Sequence, residues 1–268
     1  MGRRPPARAF GKVVVSPPDS KTERSWERAE KRLDYYLRDR PRGTQALCAL
    51  LSATYLWSCV EDFLGGQAVW RVVGWNRSPE LLKALGARTR DLARHGEWDR
   101  LFEYGMLHWN LGHLLMNVSA IWAVGEVLEA VYGPGRVWLL FFVSSACGGV
   151  GSWLAGGELT VGASGGAFGL LGAMVAFGWR WGGKLHPHTR RWFGTLLWPW
   201  VVGNLALGFI LPFIDNGAHI GGLLGGMALG ATYGNRITDN SESGDVVRWL
   251  TRGAAAALTL LALSRFLR

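Results

Sequence analysis

The chain has 268 residues, 49% of them hydrophobic and only 18% charged, with 38 Gly and 15 Trp. Soluble globular domains carry roughly 25% charged residues, so this composition argues against one and favours a bundle of membrane helices. The net charge of +9 would also suit a nucleic-acid-binding arm. However, the basic residues are concentrated in 1–43, directly before the first apolar segment, as in a cytoplasmic flank. We therefore expect no nucleic-acid partner, and whether 1–43 folds stays open.

Apolar segments then follow one another along the rest of the chain. A helix needs about 20 residues to cross a bilayer, and the connections between segments are short and contain turn-forming Gly, Pro and Asn. The sequence predicts an all-α polytopic membrane protein with a six-helix core over 44–235. The connection and a seventh helix would occupy 236–268, although the last segment could instead lie along the bundle. The predicted spans are 44–64, 104–126, 137–157, 164–181, 192–213, 217–235 and 252–267.

The loop between the first two spans, 65–103, is the longest connection. It includes the amphipathic stretch "SPELLKALGARTRDLARHGEWDRLF", which predicts one interfacial helix rather than a span. The connections 180–191 and 236–252 are basic and lie on the same side as the N-terminus if every segment crosses. This charge distribution predicts a cytoplasmic N-terminus and places 65–103 on the outer side.

Polar side chains interrupt three of the apolar segments. The second carries His108, His113 and Asn117, the fourth begins at Ser164, and the sixth carries His219 near its start. These segments all enter from the outer side, so the three groups should lie beneath one face. We expect His113 about nine residues into its helix, roughly 13 Å at 1.5 Å per residue. Polar groups at membrane depth are costly and point to function.

The combination is suited to acyl transfer. A histidine can take the proton of a serine hydroxyl and make the oxygen nucleophilic, while imidazole, amide and backbone N–H groups can stabilise an oxyanion. Alternatives for the separate signals remain. The Gly-rich serine motif could be small-residue helix packing, and His219 could be a core histidine. His108 and His113 could be metal ligands, but no acidic or thiolate partner accompanies them, and the three cysteines lack metal-ligand spacing. We therefore expect no metal and no cofactor.

Three stretches in this order resemble the rhomboid family of intramembrane serine proteases: "GEWDRLFEYGMLHWNLGHLLMN", "GASG" and "AHIGGLLGG". The resemblance covers roughly 97–230. It implies a Ser–His dyad with Ser164 as nucleophile and His219 as general base. It also implies an oxyanion hole made by His113, Asn117 and the Ser164 backbone N–H. The implied substrates are transmembrane proteins in the lipid bilayer, cut at a site open to the outer face. A bacterial plasma membrane is the expected location, and the oligomeric state is open.

The resemblance implies supporting roles for further residues. His108 matches a histidine near the oxyanion site, and Gly162 matches the glycine of the nucleophile motif. Phe168 occupies a place where a tyrosine often packs on the catalytic imidazole. The resemblance also assigns close helix packing to Gly222 and Gly226, a structural role at the inner end of the second helix to Glu129, and a Trp-Arg motif to Asp99 and Arg100.

In that motif Asp99 stands where tryptophan is common, so this sequence departs from the family pattern at this position. Two rival functions remain. One is an inactive rhomboid-like protein that binds membrane clients, and the other is a transporter or channel with a histidine proton relay. Both the serine and the histidine are present, which disfavours the first. The lack of an inverted repeat and of intramembrane acids disfavours the second.

Overall fold

A computed structural model describes residues 19–67, 77–91, 95–211, 213–238 and 245–266. Those residues are largely helical, which confirms the predicted all-α class, with one two-stranded antiparallel ladder in addition. The helices are α1 Ser20–Arg38, α2 Arg42–Leu64, α3 Pro79–Ala84, α4 Arg100–Glu103, α5 Leu111–Tyr132, α6 Pro134–Leu154, α7 Ser164–Trp181, α8 Pro187–Trp192, α9 Trp198–Ile210, α10 Asn216–Thr232 and α11 Asp245–Ala262. The ladder pairs β1 Arg88–Thr89 with β2 Leu159–Thr160.

Three of these helices are long and apolar enough to cross a membrane in the described part of the chain: α2, α5 and α6. The turn between α5 and α6 explains their antiparallel course. Gly133 ends α5 with φ +86°, and Pro134 takes the first position of α6, where its missing N–H costs nothing. At the same end, the Glu129 carboxylate accepts hydrogen bonds from the Gly43 and Thr44 N–H groups, at 3.0 and 2.7 Å. It thereby joins the start of α2 to the end of α5.

Helix α7 lies at the centre of the bundle. Every residue from 165 to 178 is buried, so this helix has almost no surface left for lipid. Its many glycines lower its hydropathy, and they allow α6 and α10 to approach its backbone. A central helix of this kind needs small residues more than it needs a uniformly apolar surface.

The C-terminal helix α11 runs along the whole bundle. Near its start, Thr251 and Arg252 lie against Gly135 at the beginning of α6. Beyond its other end, Ser264 and Arg265 bind Glu103 in the loop before α5. The helix therefore extends from one end of the bundle to the other, and it begins seven residues earlier than the predicted 252.

Two predicted boundaries were wrong. The second span was predicted over 104–126, but 104–106 form a 3₁₀ turn and α5 begins only at Leu111. The reason is a helix cap, because the Asn110 side chain accepts a hydrogen bond from the His113 N–H at 2.9 Å. Within the described residues of the fifth span, predicted over 192–213, helix α9 is shorter than the prediction, with 13 residues from Trp198 to Ile210.

The single interfacial helix predicted in 65–103 is also wrong. The described part of this loop forms α3, β1 and α4 instead. The chain leaves the helical course after α3 because Gly86 has φ +107°, a conformation that glycine tolerates best. Arg88 is completely buried, so the stretch is not simply amphipathic.

The basic segment 1–43 is partly folded. Residues 1–18 lie outside the described residues, and 20–38 form α1, whose first turn is capped by the Asp19 side chain on the Thr22 N–H at 2.7 Å. The Trp26 indole donates to the Gly183 carbonyl at 3.3 Å. Helix α1 is thus docked against the connection that follows α7.

Candidate active site

Ser164 is the first residue of α7 and follows a strained turn. Gly162 has φ +127°, and its N–H donates to the Tyr104 carbonyl at 3.0 Å. A Cβ atom at Gly162 would lie 2.7 Å from Cε1 and 2.8 Å from Nε2 of His113. Both the backbone angle and the lack of space therefore require glycine here. Ser164 itself is only partly buried, although its neighbours on both sides are buried.

His219 lies in the first turn of α10 and is 8% exposed. The cap of this helix is Asp215, whose carboxylate accepts from the Ala218 N–H at 3.0 Å. The imidazole stacks on Phe168, with ring centroids 4.1 Å apart and planes inclined by 12°. Phe168 lies one helical turn after Ser164, so the two side chains share a face of α7. The stacked imidazole is therefore held over the face that carries the serine.

Small residues hold α7 and α10 in backbone contact just below this pair. A Cβ at Gly222 would overlap the Gly165 carbonyl, and one at Gly226 would overlap the Gly169 carbonyl. Gly222 lies three residues after His219, and Gly165 directly follows Ser164. The close approach of the two backbones therefore places the histidine and serine positions at the same level.

The proposed oxyanion residues lie on α5 beside the same turn. His113 is in the first turn of the helix, not nine residues into it as predicted, because α5 starts later. Asn117 is one turn further on and is buried; its amide Nδ2 donates to the His113 carbonyl at 3.0 Å. His108 is buried before the helix, and its ring meets that of His113 edge-on, with centroids 5.2 Å apart.

The site is not assembled into a hydrogen-bonded dyad in this structure. Among the residues that the structure describes, neither the Ser164 hydroxyl nor the His219 Nδ1 atom has a hydrogen-bond partner. Catalytic hydrogen bonds are often long without substrate and tighten only in the reacting complex. No group of three or more His, Cys, Asp or Glu side chains among these same residues could hold a metal ion.

A buried polar cluster behind His219 was missed by sequence reasoning. The Asp215 carboxylate accepts hydrogen bonds from the Ser152 and Thr160 hydroxyls, and the Arg88 guanidinium lies 3.9 Å from it. Burial lowers the pKa of Arg88, while the Asp215 charge acts in the opposite direction. The cluster links β1, α6 and β2 to the cap of α10, the helix that carries His219. An aspartate immediately before an apolar helical run was the available signal for Asp215.

Arg100 of the suspected Trp-Arg motif organises the loop that precedes α5. It forms a two-pronged ion pair with Glu97, at 2.8 and 2.9 Å, and donates to the Lys83 and Ala87 carbonyls, at 2.7 and 2.9 Å. Trp98 is half-exposed, and its ring meets the ring of Trp153 edge-on. The arginine therefore fixes the loop by hydrogen bonds to backbone.

A family model, the Rhomboid domain, matches residues 95–236. The chain belongs to the rhomboid family. This confirms the resemblance, and with the three long apolar helices it identifies an integral membrane protein with an all-α rhomboid fold. The matched region includes all three segments of the site and ends just after α10.

Curated relatives agree with this membership. Rhomboid protease GluP of Bacillus subtilis is 37% identical over 60% of this chain and 31% of its own length. RHOMBOID-like protein 5 of Arabidopsis thaliana is 37% identical over 56% of this chain and 48% of its own. Rhomboid-like protease 5 of Toxoplasma gondii is 34% identical over 57% of this chain and 18% of its own. The matched parts are thus less than half of each relative.

Proposed function

We propose that this protein is an intramembrane serine endopeptidase that hydrolyses peptide bonds in or near the transmembrane helices of other proteins. The observation that carries the proposal is the stacking of His219 on Phe168, one turn from Ser164. Family membership and the similarity to a protein named as a rhomboid protease support the same activity. No cofactor is required by this chemistry.

In the proposed mechanism, His219 takes the Ser164 hydroxyl proton as the oxygen attacks the scissile carbonyl carbon. The tetrahedral oxyanion receives hydrogen bonds from His113, Asn117 and the Ser164 backbone N–H. The protonated imidazole then donates to the leaving amine, and the new amino terminus departs from the acyl-enzyme. Water attacks the ester with the same histidine as base, which releases the carboxylate and restores the hydroxyl.

The start of each site helix supports an active site open to the outer face. Helices α5, α7 and α10 all begin beside the site, and the opposite ends of α7 and α10 lead into the basic connections near residues 180–191 and 236–252. With the basic end in the cytoplasm, the serine faces the outer side. We place the protein in a bacterial plasma membrane with a cytoplasmic N-terminus.

The scissile bond should then lie near the outer end of a substrate helix. A helical backbone hides its carbonyls in hydrogen bonds, so the substrate must unwind locally, and Gly or Pro lowers that cost. Small side chains at the cut should fit best, because glycines surround Ser164. Mass-spectrometric mapping of cuts in a set of single-span proteins tests this, and cuts grouped at the cytoplasmic end contradict it.

The decisive experiment uses purified protein in liposomes with a fluorogenic single-span substrate. Wild-type protein should cleave it, and Ser164→Ala and His219→Ala should abolish cleavage while retaining the wild-type unfolding temperature. A fluorophosphonate should label the wild type at Ser164, and a chelator should leave turnover unchanged. Turnover by either variant refutes the dyad. A folded wild type that binds single-span proteins but cuts none favours the second candidate, an inactive rhomboid-like protein, since inactive rhomboid homologues exist.

A further inference from the structure

The outer end of the C-terminal helix is bound to three acidic side chains of the outer loop. Arg265 Nε lies 2.8 Å from Glu103 Oε2, and its Nη2 lies 3.3 Å from Glu97 Oε1 and 3.4 Å from Asp99 Oδ2. The Ser264 hydroxyl donates to Glu103 Oε1 at 2.7 Å. We call these five residues the clasp.

Burial distinguishes the clasp from ordinary surface ion pairs. Glu103 is completely buried, and the Arg265 side chain is 19% exposed. Burial raises the pKa of Glu103, whereas the hydrogen bonds from Ser264 and Arg265 lower it. Removing one partner of a buried charge pair leaves the other charge uncompensated, which is far more costly than losing a surface pair. By contrast, the Arg90–Glu158 pair is largely exposed on both sides.

The clasp is continuous with both segments that carry the site. The next residue after the buried acid is Tyr104, whose carbonyl accepts the Gly162 N–H at 3.0 Å. Phe266, the next residue after the arginine, packs against a cluster that includes Leu107 and Val161. The segment that contains Tyr104 and Leu107 leads into α5, which carries the proposed oxyanion residues. The segment that contains Val161 leads into the turn before Ser164.

We propose that Arg265 is a positioning residue for catalysis. Through Glu103 it fixes the Tyr104 carbonyl, and this carbonyl holds Gly162 against the His113 ring, so the C-terminal helix sets the distance between the nucleophile and the oxyanion donors. The clasp also gives Asp99 a partner at a position where the family commonly has tryptophan. The inference rests on the proposed protease function, and Arg265 itself is not proposed to contact the substrate.

The kinetic test compares Arg265→Ala and Arg265→Lys with Arg90→Ala as a matched control on the outer side. Misplacing catalytic groups by about 1 Å can cost about 10²-fold in rate. We therefore expect Arg265→Ala to lower kcat per folded molecule by about 10- to 100-fold with little change in KM. The lysine should restore part of the rate, because it keeps the charge but not the two-pronged geometry. The control should equal the wild type. Unchanged kcat, a rise in KM alone, or a lysine variant no better than alanine overturns the proposal.

Hydrogen–deuterium exchange of the peptide containing Gly162 gives a readout that needs no activity. Exchange should be faster in Arg265→Ala than in the wild type and unchanged in Arg90→Ala. If Arg265→Ala does not fold, Asp99→Asn, which removes a partner without exposing a buried charge, should show a smaller increase. If the wild type has no protease activity, the proposed function fails. The exchange measurement then still tests whether the clasp fixes the turn at Gly162. If the folded clasp variants exchange this peptide at the wild-type rate, the proposal is overturned.

Discussion

Replacing Gly222 by alanine tests whether backbone contact between α7 and α10 sets the geometry of the site. The added Cβ would lie 2.8 Å from the carbonyl carbon and 3.0 Å from the Cα of Gly165, and it would overlap the carbonyl oxygen. Carbon atoms in contact prefer about 3.5–4.0 Å. The helices must therefore separate by about 1 Å, since backbone atoms of two packed helices cannot rotate away.

The expected change in the free energy of unfolding has two contributions. Overpacking a well-packed core costs about 1–3 kcal/mol, while alanine in place of glycine favours a helix by about 1 kcal/mol. Gly253→Ala in α11 is the matched control, because nothing lies within 4 Å of its added Cβ and it gains only the second contribution. The difference in free energy of unfolding between the two variants should be about 1–3 kcal/mol, with Gly222→Ala the less stable.

Both variants should be unfolded in detergent micelles, and the fluorophosphonate labelling rate of Ser164 should be measured on the folded fraction. A shift of about 1 Å between Ser164 and His219 is expected to slow labelling by about 10²-fold, and Gly253→Ala should label at the wild-type rate. Equal stability and equal labelling of the two variants would refute the inference that this contact positions the site.

Three further outcomes are expected. Asn117→Ala should lower turnover by about 10²–10³-fold without abolishing it, because the other proposed oxyanion donors remain; unchanged turnover removes Asn117 from the proposed oxyanion hole. Glu129→Ala should lower the free energy of unfolding by about 1–3 kcal/mol, because it leaves the buried Thr44 N–H without its acceptor. Glu129→Gln should lower the free energy of unfolding by less. The ion pair with Arg100 lowers the pKa of Glu97. The stabilisation that this ion pair gives the folded protein is therefore present at neutral pH and is lost as the pH falls through the lowered pKa of Glu97. Acid should thus lower the unfolding temperature of the wild type more than that of Glu97→Gln.

The sequence was most informative where chemistry and helix periodicity coincide. Ser164 begins its helix as predicted, because the preceding Gly162 marks the turn and the apolar run behind it has no break. Phe168 and His219 could be paired in advance only through the family resemblance. Their stacking depends on how α7 and α10 cross, and a hydropathy pattern contains no information on that crossing.

The loops were predicted poorly for a definite reason. A hydrophobicity pattern contains no information on helix caps or buried charges. The prediction from it therefore placed the start of α5 before Asn110 and treated 78–102 as one amphipathic helix. In the structure Arg88 points inward to the Gly157 carbonyl and the Asp215 carboxylate, which come from distant parts of the sequence. Arg100 points inward to the Lys83 and Ala87 carbonyls of its own loop. Such partners can be recognised only after the chain has folded.

The helix starts around the site also differ in a way that bears on the oxyanion. The Asn110 side chain caps α5 and the Asp215 side chain caps α10, so each of these helices has a first-turn N–H satisfied. Helix α7 follows Ala163, and within the described residues its start has no side-chain cap. Among the described residues the Ser164 N–H also has no backbone acceptor, and it lies at the positive end of a helix dipole. An uncapped helix start is a stability cost in an ordinary core, but beside the proposed nucleophile it would favour the negative charge that forms on the attacked carbonyl in the proposed mechanism.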